Sequence, residues 1–260
     1  MAEYDRLNPA RAQMSARPEA YAVDEGLRAY MLSVYNYMAA GLAITGIVAY
    51  IVFTMAITQD PAAAVARLQN GTMLTEFGRI IFVSPLKWVL FLAPLGVVFL
   101  FAARIHKMSV PTAQTVFWVY AALVGASIAS IFVVYTQGSI ARVFFITAAA
   151  FGALSLWGYT TKRDLSGWGS FLFMGLIGII IASIVNIFVG SSALQFAVSV
   201  IGVLVFAGLT AYDTQQIKEE YYAGNDEATA GRNAIMGALR LYLDFLNMFL
   251  MLLSLFGNRE

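Results

Sequence analysis

Long apolar runs separated by short polar clusters dominate the chain. Residues 29–59 carry no charge, and further uncharged runs cover 88–103, about 112–136 and 143–161. The stretch 165–217 is interrupted only by Asp213, and 241–258 only by Asp244. A helix needs about 20 apolar residues to cross the hydrocarbon core of a bilayer. The run from Leu165 is long enough for two crossings, with Gly190-Ser191-Ser192 as a tight turn between them. The pattern therefore predicts seven spans, near 31–57, 85–104, 111–136, 140–161, 168–190, 193–217 and 235–257. Pro94 lies in the shortest of these and predicts a kink there. A closed β-barrel would instead show alternating segments of about ten residues. The expected fold is an all-α integral membrane protein, a seven-transmembrane-helix bundle, with no internal repeat to support an inverted-repeat transporter plan.

The first 29 residues are polar and mixed in charge, with Pro9, Pro18 and Gly26 as breakers, and read as a soluble tail. They are not a signal peptide, because the apolar run behind them is about twice the length of an h-region. Two regions result: a tail over 1–29 and a membrane domain over 30–260. Eleven Lys and Arg residues fall on the tail's side of the bundle and five on the other. The positive-inside rule then puts the N-terminus in the cytoplasm. The longest loop on the far side, 59–85, is expected to lay Thr75 to Val83 on the membrane surface as an amphipathic turn.

Composition adds exclusions. The chain is 60% hydrophobic and 12% charged, with mean hydropathy +0.74 and formal net charge +1. So flat a balance gives no footprint for nucleic acid. With no cysteine and one histidine, His106, the chain has no thiolate metal site, no disulfide and no His-Glu-x-x-His zinc motif. No cofactor is implied. The four lysines lie at predicted helix ends, so none sits where a retinal Schiff base would need it.

Against this background two acids stand out. Asp213 lies inside the apolar frame of the sixth span, near its cytoplasmic end. Asp244 lies about ten residues, roughly 15 Å, into the seventh. An ionised carboxylate at such depth costs several kcal/mol unless it is paired, protonated or facing water, so both should face the bundle interior. The two helices are consecutive and antiparallel, joined by a cytoplasmic loop over 219–234, so the two side chains can meet. Two carboxylates sharing a desolvated site cannot readily both ionise, and the pair titrates as a unit. Such a pair is a proton sensor if its charge is exchanged with a neighbouring cation. Arg104, at the cytoplasmic end of the second span, reaches the same layer and could be held by the deprotonated pair and released by the protonated one. The alternative is purely structural: Asp213 permanently paired with Lys218 or Arg104, and Asp244 neutralised by Arg240 one turn before it. Elsewhere, Asn186, Gln195 and Asn247 read as interhelical hydrogen-bond glue. Glu76 with Arg79 reads as a solvated pair, and His106 as a loop residue.

The segments Tyr212-Asp213-Thr214-Gln215-Gln216-Ile217-Lys218 and Leu241-Tyr242-Leu243-Asp244-Phe245-Leu246-Asn247-Met248-Phe249 resemble the Bax inhibitor-1 (transmembrane BAX inhibitor motif) family in its bacterial branch. The likeness extends over about 34–256, including the first-span stretch from Tyr35 to Gly46. It implies a bundle in which the last helix is central. It also implies a pH-sensitive calcium leak with Asp213 and Asp244 as a di-aspartyl sensor passing cations transiently, and Arg104 as an arginine latch. The resemblance also implies, from one bacterial member that modulates a membrane-anchored protease, an alternative function: a non-conducting interaction protein with such a partner. Two departures matter: Ala93 falls near a position that is acidic in some relatives, and Arg240 stands where the residue is often neutral, so it modulates the sensor. An enzyme is not expected. Intramembrane aspartyl proteases carry Gly-x-Gly-Asp, whereas Leu241-Tyr242-Leu243-Asp244 is bulky where substrate backbone must approach. Glu219-Glu220 lacks the Arg spacing of prenyl-protease-like enzymes. Two carboxylates also fall short of the roughly six to eight oxygens of a tight calcium site. The expected location is the bacterial inner membrane, with lipid, protons and calcium ions as partners.

Overall fold

The computed structural model describes residues 9–68 and 70–259, with side chains from Glu25 onward. Among the described residues, seven helices are long and apolar enough to span a bilayer. Helix α1 covers Pro9–Ala56. A loop carries a two-stranded hairpin, β1 (Ala66–Arg67) against β2 (Met73–Leu74), and the short helix α2 (Glu76–Phe82). Then follow α3 (Leu86–Arg104), α4 (Val110–Ile128), the single turn α5 (Ile131–Val134), α6 (Gln137–Thr160), α7 (Ser166–Val189), α8 (Ser192–Glu219) and α9 (Glu227–Phe256).

The spans match the apolar runs closely, and three local features differ. Helix α1 begins at Pro9 and continues through Pro18 and Gly26, so the expected breakers do not interrupt it. Proline is tolerated at a first helical position, and the surrounding Ala, Arg, Met and Glu residues favour helix. Residues 1–8 of the expected tail, with Arg6, lie outside the described residues, as do the side chains of Arg11 and Arg17. The connection expected over 219–234 shrinks to a few residues because α9 starts at Glu227. Asp226 caps it, its carboxylate accepting from the Thr229 amide, and the Thr229 side chain together with that amide holds the Asp226 carboxyl below its usual range. The far-side loop does contain the expected amphipathic turn, now α2 with Thr75 as its cap, but the hairpin beside it was not foreseen. Gly190 takes a left-handed conformation (φ +64°) at the α7–α8 turn, which glycine adopts without strain.

Helix α9 is the innermost element. It packs against α8, α1, α6 and α4, while α3 lies outside α4 and α7 outside α8. Its Leu241, Tyr242, Met248 and Leu253 are almost completely enclosed. By contrast, α7 leaves a wide apolar face open, with Phe171, Ile187 and Phe188 exposed, as expected of a surface solvated by lipid.

Small residues and hydroxyl groups join the helices where apolar contact alone would not specify a register. A Cβ placed on Gly125 would come within 2.5 Å of the Thr45 carbonyl oxygen, and one on Gly158 within 2.3 Å of the Ala211 carbonyl oxygen. These are backbone-to-backbone approaches, α4 on α1 and α6 on α8. Thr45 Oγ1 donates to the Ala121 carbonyl at 2.9 Å and accepts from Tyr242 Oη at 2.6 Å, tying α1, α4 and α9 together. Tyr35 donates to Ser155 (2.7 Å), Ser155 to Thr214 (2.9 Å), and Thr214 to the Thr210 carbonyl (2.6 Å), which ties α1 to α6 and α8. Asn186 donates to Gln195 across the α7–α8 turn, and Gln195 donates to Ser254 of α9, as expected of helix-joining polar groups. Asn247 does not join helices; its amide turns back to the Leu243 carbonyl of its own helix.

The close approach at Gly158 gives a test. Gly158→Val forces a branched side chain onto backbone that cannot yield, and overpacking of this kind costs about 1–3 kcal/mol or more. Gly152→Ala, one and a half turns earlier, meets nothing within 4 Å. Thermal unfolding in detergent should therefore show a marked loss of stability for the first variant and none for the second.

Candidate functional site

Asp213 and Asp244 reach each other in the interface of α8 and α9. The antiparallel pairing of these helices sets Gly202 against Met251, Ser199 against Ser254 and Ile217 against Gly237, and the same register brings the two carboxyl groups within hydrogen-bonding reach. Asp244 is almost fully buried, at 4% exposure, and its Oδ2 has no hydrogen-bond partner among the described residues. Asp213 is half-buried.

A cavity of about 700 Å³ opens beside the pair, between α7, α8 and α9. Ser166, Ser170, Tyr212 and Asn247 contribute polar groups to its wall together with both aspartates and Arg240, while Phe173, Phe206 and Leu209 supply the apolar remainder. Both aspartates thus line a volume large enough for several water molecules, while Oδ2 of Asp244 is itself enclosed. The arrangement can hold a proton between two acids, hydrate it from one side, and expose negative charge to a passing cation.

Arg240 is the cation nearest the pair. Its guanidinium acts on both aspartates electrostatically, yet its direct partner is Glu220, with Nη1 to Oε1 at 2.6 Å. Glu220 follows the last residue of α8, and Arg240 lies one turn before Asp244 on α9. The short α8–α9 connection thus places an acid that competes with the aspartates for the same guanidinium. Tyr30 of α1 closes the layer. It is 7% exposed, packs its ring at a tilt against Tyr221 at 5.5 Å between centroids, and its hydroxyl lies near Glu220 and Arg240 without a partner among the described residues.

Comparison with known proteins identifies the family. Residues 27–260 match the family described as "Inhibitor of apoptosis-promoting Bax1". The chain belongs to the Bax inhibitor-1 family. An uncharacterized protein of Rickettsia prowazekii is 49% identical over 91% of this chain and 92% of its own length. A protein of Caulobacter vibrioides is 46% identical over 99% of this chain and 97% of its own. The inner membrane protein YbhL of Escherichia coli is 46% identical over 90% of this chain and 94% of its own.

Within this Bax inhibitor-1 family chain, the residues singled out from sequence fare differently. Asp213 and Asp244 meet. Arg240 is beside them but bonded to Glu220 rather than to Asp244, so the i,i+4 pair considered above is not formed. Lys218 is not on Asp213 either; its ammonium donates to the Tyr159 carbonyl at 2.9 Å and lies over the Tyr159 ring. Arg104 is exposed at the end of α3, and among the described residues it makes no ion pair, so in this conformation no latch joins it to the aspartates. Glu76 and Arg79 pair on the surface of α2, and His106 is exposed in the turn after α3, both as expected. Among the described residues no group of three or more His, Cys, Asp or Glu side chains comes together to hold a metal ion.

Sequence reasoning missed Glu220 and Tyr30. Glu220 was weighed only against an enzyme motif, because a longer α8–α9 loop left it far from Arg240. The signal that finds it is the capping residue Asp226, which starts α9 early and shortens the connection. An exposed or half-exposed ion pair is worth about 0.2–1 kcal/mol. Glu220→Gln should therefore change thermal stability by no more than that. Arg240→Gln also removes, among the described residues, the guanidinium that acts on the aspartates and should cost distinctly more at pH 8, measured by unfolding in detergent.

Proposed function

We propose that the protein is a proton-gated cation leak of the bacterial inner membrane, with calcium as the ion and with its N-terminus in the cytoplasm. The observation that carries this reading is the contact between Asp213 and Asp244 at the wall of a cavity, with one carboxylate oxygen of Asp244 left unpartnered. A structural ion pair would put a cation on that oxygen; here the direct partner of Arg240 is Glu220, which leaves the two acids to share a proton at the cavity wall. Two carboxylates give too few oxygens for tight calcium binding, which suits transient passage rather than storage.

Gating follows from competition for Arg240. Among the described residues, the charged and titratable groups around the aspartates are Arg240 on α9, Tyr212 on α8, Glu220 at the end of α8 and Tyr30 on α1; α7 contributes the hydroxyls Ser166 and Ser170. When the pair carries its proton, Glu220 holds the guanidinium. When the pair loses it, the added negative charge draws Arg240 toward the cavity and changes both its width and its field. Arg240 thereby takes the part expected of Arg104, which remains available as a second cation at the same end. Apart from the proton that the acid pair takes up and releases to water, the scheme makes and breaks no bond and calls for no catalysis.

Calcium flux in proteoliposomes across pH 6 to 8 tests the reading. Wild type should show flux whose rate depends on pH with a defined midpoint. The double variant Asp213→Asn with Asp244→Asn should lose that dependence, and Glu220→Gln should shift the midpoint. A wild-type protein without flux at any pH would sink the channel and leave the non-conducting, protease-regulating alternative.

A further inference from the structure

A second cavity lies on the opposite side of the bundle from the aspartates, in the seam between α1 and α6. Its volume is about 590 Å³, and its walls are almost wholly apolar: Met31, Leu32, Met38, Phe151 and Leu156. Another cavity of about 530 Å³ adjoins it at the shared residues Met38 and Phe151, so hollows line the seam along α1 toward Ile47. Leu32 and Leu156 are half or more exposed on its rims, which open sideways to the membrane.

Three observations specify what fits. The floor asks for nothing polar. Of its hydroxyls, those of Tyr35 and Ser155 are consumed by the chain that ends on the Thr210 carbonyl, and Tyr159 lies at the charged mouth beside Lys218. The depth is that of one leaflet, since the ten residues from Arg28 to Met38 span about 15 Å of helix, half of a hydrocarbon core of about 30 Å. The mouth is basic. Arg28 lines it, and Lys218 sits across it on the Tyr159 carbonyl and ring, with Lys162 exposed just beyond the end of α6. Glu25 and Glu219 are nearby acids, but among the described residues neither Arg28 nor Lys218 is ion-paired. A third helix cannot enter the seam, because packed helix axes stay about 8–10 Å apart and the Tyr35–Ser155 bond of 2.7 Å already joins α1 to α6 across its floor.

We propose that the α1–α6 groove binds one anionic phospholipid of the leaflet at the basic end of the bundle, with an acyl chain along Leu32 to Phe151 and the phosphate facing Arg28 and Lys218. The lipid completes the packing of α1 against α6 and, through the Tyr35–Ser155–Thr214 chain, rests against the turn of α8 that carries Asp213. This site is independent of the ion-leak reading.

Native mass spectrometry of the full chain, delipidated in detergent and titrated with phosphatidylglycerol or phosphatidylcholine of identical chains, tests it. Wild type should retain one phosphatidylglycerol in preference to phosphatidylcholine. Arg28→Gln should weaken phosphatidylglycerol retention about fivefold, the worth of one basic residue at an anionic surface, and leave phosphatidylcholine unchanged. Gly152→Leu should abolish retention of both. A Cβ at Gly152 meets nothing within 4 Å, and leucine is the better helix former, so this variant fills the groove without unfolding the bundle. Arg67→Gln, at the other end, should behave as wild type. Equal retention of the two lipids by wild type, or unaltered phosphatidylglycerol binding by Gly152→Leu, would overturn the proposal. So would a photo-crosslinking residue at position 156 that captures a polypeptide instead of lipid.

Discussion

Placing an acid on the innermost helix of a membrane bundle is the constraint that organises this protein. Asp244 cannot reach lipid headgroups from its position on α9, so everything that makes its presence affordable has to come from neighbouring helices. Asp213 supplies a second carboxyl to share the proton, the α7 serines and Asn247 supply a wet wall, and Arg240 supplies a nearby positive charge. Each of these depends on α8 and α9 keeping one antiparallel register. The short connection capped by Asp226 enforces that register from one end, and the Gln195 and Ser199 contacts to Ser254 enforce it near the other.

The rest of the bundle separates a fixed part from an adjustable one. Backbone contacts at Gly125 and Gly158, and the hydroxyl links through Thr45 and Ser155, hold α1, α4, α6 and α8 at single distances. Dispersion between apolar side chains has no comparable directionality in a lipid environment, where the hydrophobic effect does not drive helices together. On the α7 side, Gln215 accepts from the Leu165 amide and donates to the Arg163 carbonyl, which ties only the start of α7 to α8 near the aspartates. The cavity opens on this side.

Much of the architecture was legible in the sequence, because span boundaries are written directly in charge: a run without Lys, Arg, Asp or Glu can be nothing but membrane or core. The two aspartates were legible for the same reason, as exceptions to that rule. Partner choice was not. Arg240, Lys218 and Glu220 all sit near helix ends, where long side chains reach in several directions, and the outcome depends on where α9 begins to within two turns. Asp226, an ordinary polar residue in a polar segment, decides it by capping. The extension of α1 through Pro18 was missed because single-residue breakers were weighted above the helix-forming residues around them.

The far end of α9 is bound differently from its start. The Asn258 carbonyl accepts from the Thr136 amide, the Asn258 amide donates to Ser139, and Arg259 pairs in an antiparallel bridge with Tyr135. These main-chain bonds moor the last turn of α9 to the beginning of α6, on the side of the bundle opposite Arg240. The central helix is therefore a lever with its pivot at one membrane face. Displacement grows with distance from the pivot, so a small tilt that barely moves Ser254 carries Asp244 farther and Arg240 farther still.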